Sequence, residues 1–178
     1  MTAPSAAAEV LGGDGNLDTS RLSQGEKIVA ISSGLLVLLS FFPLWGKYEF
    51  PGGVLGGTER VSAWSNAFNF LSKLAILLAL TTLVLVVLKA LGTNLELPIG
   101  TGLMYVALGG LATLLLVLLL ILGPREFGLS RVPGVEVSRG IMQFVGVVLG
   151  AGILFGGYQH MQGETTEPTS PTTPPPAS

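Results

Sequence analysis

Four long apolar segments, separated by shorter polar ones, dominate the chain. They run over about 27–45, 64–91, 98–122 and 139–158. A transmembrane helix needs about 20 mostly apolar residues, because each residue adds about 1.5 Å across a hydrocarbon core about 30 Å thick. The runs are continuous rather than alternating, which favours helices over the strands of a membrane barrel. The pattern predicts an all-α membrane protein, a bundle of four transmembrane helices.

Local signals indicate where these helices begin and end. Ser23 and Glu26 have the spacing of a capping box, so we expect the first helix to start just after Ser23. Pro98 suits the first turn of the third helix, and Gly123 with the proline after it suits its end. Ser138 is placed to cap the fourth helix. The transmembrane domain is therefore predicted to span residues 23–160.

The segments between the predicted helices differ in length. The connection over 91–98 is short, so helices two and three should be antiparallel neighbours. The loop over 46–63 contains the sequence PGGVLGG, whose glycines and proline indicate turns, with a short hairpin around Tyr48 and Phe50. Four crossings would place both chain ends on one side of the membrane.

Residues 1–22 and 161–178 are predicted to be disordered tails. In the second tail Pro168, Pro171 and Pro174 recur every three residues, so they share one edge of a polyproline II helix. Such an edge can bind an aromatic-lined groove of a partner. A solubilising end and an O-glycosylated segment are the alternatives.

Composition supports a membrane protein. Hydrophobic residues make up 49% of the chain and charged residues 11%, with a mean hydropathy of +0.67, whereas a soluble domain has about 25% charged residues. The net charge of −2 gives no basic surface for nucleic acid. The absence of cysteine excludes disulfides, thiolate metal sites and cysteine nucleophiles.

The predicted spans lack the residues that perform most chemistry. All eleven acids lie outside them, and the single histidine, His160, follows the last one. Metal-dependent hydrolysis needs histidine and carboxylate ligands, and a serine hydrolase needs a histidine within reach of its serine. Proton-coupled transport normally needs an Asp, Glu or His within a span. We therefore expect no catalytic residue, no cofactor and no metal, and a protein that is not an enzyme.

The stretch WSNAFNFLSK, residues 64–73, is unusually polar for the start of a span. Asn66, Asn69 and Lys73 are spaced to share one helix face. One interpretation is a polar strip lining the bundle or a pore. The other is an anchor at the membrane surface, with Lys73 extending its amine to water and Trp64 and Trp45 as interfacial aromatics. A Lys73 about 13 Å deep would lack an acid within any span, which favours the anchor.

Small residues recur at four-residue spacing in the last two predicted helices. This spacing lets two helix backbones approach closely. It fits packing within one chain, and it also fits an interface between copies in a homo-oligomer. The positions concerned are Gly146, Gly150, Gly152 and Gly156 in the fourth helix, and Gly109 and Thr113 in the third.

Three stretches resemble a group of small four-helix integral membrane proteins of actinobacteria and related Gram-positive bacteria that have no established activity. They are LSQGEKIVAISSGLLVLLSFFPLWG at 22–46, SAWSNAF at 62–68, and VSRGIMQFVGVVLGAGILFGGYQHMQ at 137–162. The resemblance implies a multi-pass protein of the cell membrane. It supplies no catalytic residues.

The orientation in the membrane depends on which evidence is given weight. Basic residues near the predicted spans favour cytoplasmic loops over 46–63 and 123–138 by six to three. That orientation would require export of the long first tail, so we favour cytoplasmic tails.

The partners expected are the lipid bilayer and a second copy or another membrane protein. The predicted role is a non-enzymatic scaffold or partner subunit; a channel or transport accessory built on helix two is the alternative.

Overall fold

Four helices and three short strands make up the part of the chain that the computed structural model describes, residues 22–49, 57–65, 68, 70–93, 100–123 and 136–166. The helices form a ring in which α1 and α3 each pack against both α2 and α4. The sheet lies beside one end of the ring. In chain order the elements are α1 Gln24–Ser40, β1 Gly46–Glu49, β2 Thr58–Val61, α2 Phe70–Ala90, α3 Thr101–Leu122, β3 Glu136–Arg139 and α4 Ile141–Thr166.

Three of these helices are long and apolar enough to cross a membrane. They are α2, α3 and α4, of which the span in α4 covers Ile141–Gly163. At about 1.5 Å per residue, α2 and α3 are each about 32 Å long, close to the thickness of a hydrocarbon core. With its 17 residues, α1 is about 26 Å long and does not reach that length as a helix.

Large apolar side chains cover the outside of the ring, and smaller ones fill much of its inside. Fully buried positions include Ala75, Ala79 and Ala112. This distribution reverses that of soluble proteins, in which contiguous exposed apolar surface is small. It is expected of helices whose outer faces contact lipid. Exposed examples are Ile31, Leu38, Leu77, Val84, Leu103, Leu114, Ile121, Phe144, Val148 and Phe155.

Two predicted helix ends are confirmed. The Ser23 Oγ accepts a hydrogen bond from the Glu26 N–H at 3.2 Å, and the Ser23 N–H donates to Glu26 Oε2 at 2.9 Å, which completes the capping box. Helix α3 ends at Gly123, whose positive φ of 69° favours glycine and whose N–H donates to the Leu119 carbonyl. The helix begins at Thr101, and Pro98 lies outside the described residues.

The predicted start of helix two is wrong. Helix α2 begins at Phe70 rather than near Trp64. Residues 63–65 form a turn instead, because Ala63 is held against the end of α1: its N–H donates to the Ser40 carbonyl. The Ser72 hydroxyl of α2 donates to the Ala63 carbonyl at 3.1 Å, which fixes the turn against α2 as well.

Both ends of the predicted fourth helix also need correction. Ser138 does not cap a helix, because it lies with Arg139 in β3, where it pairs with Lys47 of β1. Helix α4 starts at Ile141 and continues to Thr166, past the predicted end near Tyr158. The first residues of the predicted second tail are therefore helical.

A three-stranded antiparallel sheet joins the two longer inter-helix segments, with β1 between β2 and β3. The hairpin expected around Tyr48 is present as β1 and β2, whereas Phe50 lies outside the described residues. The sequence pattern does not predict β3. Its pairing with β1 means that segments far apart in the chain form one layer at this end of the molecule.

Candidate functional site

Charged side chains lie near the two ends of the helices and leave the middle uncharged. Glu26, Lys27 and Lys89 lie at the end of the ring where α1 begins and α2 finishes. At the opposite end the first turn of α2 carries Lys73, and the sheet carries Lys47, Glu49, Glu59, Arg60 and Arg139. Residues 28–46, 74–88 and 101–123 contain no charged side chain. We call the end of the ring with Glu26 and Lys89 the clasp end, and the end with the sheet the sheet end.

Trp45 locks the sheet to the helices and is not the interfacial anchor that was predicted. Its side chain is fully buried, and its indole N–H donates to the Leu39 carbonyl at 2.8 Å. The Trp45 carbonyl accepts from Gln143 Nε2 and from the Gly140 N–H, both at 3.0 Å. A methyl group on Gly146 would lie 3.0 Å from the Trp45 ring, so the glycine makes room for it. The start of α4 therefore covers Trp45.

Trp64 is part of a cluster of aromatic side chains at the sheet end. Its ring stacks on Phe41 with centroids 5.8 Å apart, and its indole N–H donates to Ser40 Oγ at 2.9 Å. Phe41 and the neighbouring Phe42 are more than half exposed. Aromatic side chains of this kind favour the membrane–water boundary.

The predicted polar strip is only partly within the described residues. Lys73 lies half-buried in the first turn of α2, whereas Asn66 and Asn69 lie outside the part of the chain that the structure describes. Because α2 begins at Phe70, Trp64 does not continue its face. The pore interpretation and the anchor interpretation both stay predictions.

Tyr48 of β1 is a buried phenol in the sheet. Burial, with a smaller contribution from the negative charge of Glu59 on β2, raises its pKa above the ordinary value. The phenol therefore stays neutral well into the alkaline range and acts here as a packing residue.

Glu26 is the centre of a buried polar cluster at the clasp end. Its carboxylate is fully buried, lies 2.5 Å from the ammonium of Lys89 on α2 and 3.4 Å from Nε2 of His160 on α4, and accepts the Ser23 N–H. The ring of Tyr105 on α3 lies 5.9 Å from the His160 ring. We call Ser23, Glu26, Lys89, Tyr105 and His160 the clasp, because they bring together all four helices.

The clasp was missed because His160 was placed beyond the last helix and Glu26 was treated as a cap alone. His160 is only 8% exposed and lies within α4. One signal was available in the sequence. In an antiparallel bundle the start of α1, the end of α2 and the end of α4 meet at one end, and these segments carry Glu26, Lys89 and His160.

Ser23, His160 and Glu26 are the residue types of a serine hydrolase. Ser23 Oγ lies 2.9 Å from His160 Nδ1, so the expectation that no histidine lies beside a serine is wrong. Helix capping explains the same geometry, because Ser23 Oγ also accepts the Glu26 N–H and the Glu26 carboxylate also binds Lys89. A base-orienting carboxylate that is already paired with an ammonium has less charge to offer an imidazolium.

An open cleft adjoins the clasp, with a volume of about 560 Å³. It forms because α4 continues beyond the point where α1 begins, so the last turns of α4 stand over the first turn of α1. Sites for small molecules have volumes of about 300–1,000 Å³. The described residues that line it are Ser23, Gln24, Gly25, Gln159, His160, Gln162 and Gly163.

The small residues singled out from the sequence lie at contacts between α4 and its neighbours in the same chain. Gly150 lies against Thr113 of α3, and Gly109 of α3 lies against Ile153. On the other side of α4, Gly152 lies against Ser32 of α1. Gly156 lies against Gly25 and Val29 of α1, and Gly146 against Trp45 and Leu36.

The middle of the ring is filled by side chains. Leu36, Ile76, Leu116 and Ile153 are at most 2% exposed and come from all four helices. Two buried hydroxyls in this layer bond within their own helices: Ser33 donates to the Val29 carbonyl at 2.7 Å, and Thr82 donates to the Leu78 carbonyl at 2.9 Å. Within the part of the chain that the structure describes, the polar groups of the clasp end and the sheet end are separated by this packed layer.

Comparison with known proteins adds no assignment. No protein-family model matches the chain, and no curated protein matches it. The resemblance to actinobacterial membrane proteins therefore stays a prediction.

Proposed function

We propose that the chain is a four-span membrane protein that acts, without catalysis, as a scaffold or partner subunit, with its sheet end as the partner-binding surface. One observation carries the proposal: the two segments that connect helices at this end fold together into one sheet. A sheet fixed to the helices offers a preformed surface, and preformed surfaces avoid the ordering cost that flexible loops incur on binding.

The proposed fourth span is α1. It packs between α2 and α4, and it exposes Ile31, Leu35 and Leu38 on its outer face as the longer helices expose theirs. Its first turn belongs to the clasp, and its last residue, Ser40, contacts the turn at Ala63. Helix α1 thus joins the same two polar ends as its neighbours.

Strand β2 is the part of the sheet best placed to bind a partner. It is an edge strand, and Thr58, Glu59 and Arg60 are all exposed. An exposed edge can add a strand from another chain through main-chain hydrogen bonds. The alternating charges of Glu59 and Arg60 would select among partners.

The alternative, a channel or transport accessory that uses the polar face around Lys73, has less support. The packed middle of one bundle leaves a pore only between copies of the chain. Replacing Lys73 by Leu should then leave ion flux into liposomes unchanged under the scaffold proposal. A changed flux would favour the channel.

Site-specific photo-crosslinking tests the scaffold proposal. A photoreactive residue at position 60, on exposed β2, should give one discrete protein adduct in native membranes. In a second experiment the photoreactive residue is at position 58, and the double change Glu59→Lys with Arg60→Glu should abolish its adduct. The matched control is position 31, exposed on α1 and expected to contact lipid. A protein adduct at both position 60 and position 31, or at neither of them, would overturn the assignment of β2.

Two further predictions belong with this proposal. The proline edge formed by Pro168, Pro171 and Pro174 lies outside the described residues and is proposed as a second contact for a partner. We also propose that the clasp end and both tails face the cytoplasm and the sheet faces outward.

If the partner is a second copy of the chain, the crosslinked adduct would have twice the mass of the chain.

A further inference from the structure

Apart from His160, the described side chains that line the cleft beside the clasp are of one chemical type. Ser23, Gln24, Gln159 and Gln162 are neutral side chains that both donate and accept hydrogen bonds, and Gly25 and Gly163 add no side chain. Among the described lining residues there is no Lys, Arg, Asp or Glu. Phosphate and carboxylate groups are typically bound by Arg or Lys, and metal cations by carboxylates. Hydroxyl groups, which donate and accept in the same way, fit this lining best.

The buried carboxylate behind the cleft wall is already paired. Glu26 lies behind His160, is fully buried, and pairs with Lys89. His160 forms part of the cleft wall, with Nδ1 held 2.9 Å from Ser23 Oγ. The clasp therefore fixes two lining side chains in position, and its buried carboxylate is already paired with an ammonium.

An exposed apolar stripe of α4 leads directly into the cleft. Phe144, Val148, Ala151 and Phe155 are exposed and recur at intervals of four and three residues, so they lie on one face of the helix. The next positions on that face are Gln159 and Gln162, which line the cleft. From Phe144 to Phe155 the stripe is about 16 Å long, close to half of a hydrocarbon core about 30 Å thick.

We propose that the cleft binds the headgroup of a membrane lipid that carries several hydroxyls, such as an inositol, glycerol or sugar headgroup, with an acyl chain along the stripe. The order of apolar stripe and polar cleft matches the order of chain and headgroup in a lipid. The cleft is open, so hydrogen bonds alone would hold a soluble ligand weakly. A lipid is already confined beside the cleft by the bilayer, which raises its effective concentration.

This inference concerns the clasp end, so it is independent of the partner-binding role proposed for the sheet. The test uses the full chain in nanodiscs of phosphatidylcholine that also contain phosphatidylserine and one of three hydroxyl-bearing lipids: phosphatidylinositol, phosphatidylglycerol or a diacyl glucoside. Native mass spectrometry after gentle release identifies the lipids that stay bound. We expect at least one hydroxyl-bearing lipid to be retained in preference to both phosphatidylcholine and phosphatidylserine.

Filling the cleft should remove that preference. A methyl group on Gly163 meets nothing within 4 Å, so we expect Gly163→Leu to add bulk to the cleft. The matched control is Thr81→Leu, at an exposed position of α2 away from the cleft. Gln159→Ala combined with Gln162→Ala, both at exposed positions, should weaken the preference without filling the space.

Several results would overturn the proposal. Equal retention of all lipids would show that the cleft does not select a headgroup, and retention of phosphatidylserine would show selection by charge. A preference that survives in Gly163→Leu would place the lipid elsewhere. Displacement of the lipid by free inositol or glycerol would show that the ligand is a soluble polyol.

Discussion

Glu26 performs two tasks at the residue scale. Its position three residues after Ser23 lets it close the first turn of α1, and its carboxylate also holds the ends of α2 and α4 through Lys89 and His160. A buried carboxylate is costly unless paired and hydrogen-bonded. Here a cation, an imidazole and a backbone N–H share it, so the residue can stay buried where the four helices meet.

Replacing Glu26 by Gln should destabilise the protein by about 1–3 kcal/mol. Glutamine also fits the capping box, so the change removes the charge and leaves the cap. Removing one partner of a buried pair costs about 3–5 kcal/mol, and the loss should be smaller here because Lys89 is 35% exposed and can turn toward water. Thermal unfolding in detergent micelles measures the effect.

The control for this prediction is Glu49→Gln, which breaks an ion pair of the same kind at the surface. Lys47 and Glu49 lie 2.7 Å apart with side chains 43% and 47% exposed. Such pairs contribute about 0–1 kcal/mol. Equal losses in the two variants would show that the clasp pair is no more important than a surface pair.

Ser23 should not react as a nucleophile. In the proposed role its hydroxyl caps α1, so a fluorophosphonate probe added to the protein in micelles or vesicles should leave it unmodified. Ser23→Thr, which can still cap the helix, should keep its stability, whereas Ser23→Ala should lose about 1 kcal/mol. Covalent labelling of the protein that disappears in Ser23→Ala would contradict the non-enzymatic proposal.

Local residue patterns were predicted well and burial was not. The capping box depends only on Ser23 and Glu26 and was readable from their spacing. Trp45 follows an apolar run and resembles an interfacial residue, yet it is covered by Gln143 and Gly146 from much later in the chain. A local sequence pattern gives no information about burial by residues that lie far away in the chain.

At the scale of elements, α4 is held on two sides by glycine contacts. Gly152 and Gly156 face α1, and Gly150 and Gly157 face α3. Without side chains at these positions the backbones approach closely enough for dispersion forces to act along the helices. Spacing identified Gly150, Gly152 and Gly156, whereas the contact of Gly157 with Tyr105 is visible only in the structure.

Gly156→Ala should destabilise the bundle by about 1–3 kcal/mol, the usual cost of overpacking. Its methyl group would lie 2.6 Å from the Gly25 carbonyl oxygen and 3.0 Å from the Val29 nitrogen, both backbone atoms, so α1 and α4 would have to separate. The control is Gly34→Ala on α1, where the nearest atom is 3.9 Å away. This change should be neutral or stabilising by about 0.5–1 kcal/mol. A neutral Gly156→Ala would contradict the close contact.

Helix interiors were more predictable than helix ends. The apolar runs located all four helices, because composition alone identifies them. The starts of α2 and α4 were misplaced, because the residues preceding each are held outside the helix by other segments. The turn at 63–65 is fixed by Ser40, and β3 pairs with β1. Short strands carry little periodicity of their own, so β3 becomes visible only through its partner.

At the scale of the whole molecule, an uncharged middle layer lies between two polar ends, as expected of a membrane protein. The clasp joins all four helices at one end, and the sheet joins both long connections at the other. If α1 crosses the bilayer with the other helices, these ends lie on opposite sides. The scaffold role of the sheet and the lipid site beside the clasp both depend on that arrangement.

Cysteine accessibility in sealed vesicles tests this central claim most directly, because the chain contains no cysteine of its own. Single cysteines at Gln24, Thr58 and Gly163, all exposed positions, are labelled with a membrane-impermeant maleimide before and after the vesicles are opened. We predict that Gln24→Cys and Gly163→Cys react from one side and Thr58→Cys from the other. Labelling of Gln24→Cys and Thr58→Cys from the same side would contradict the crossing by α1 and with it the four-span account.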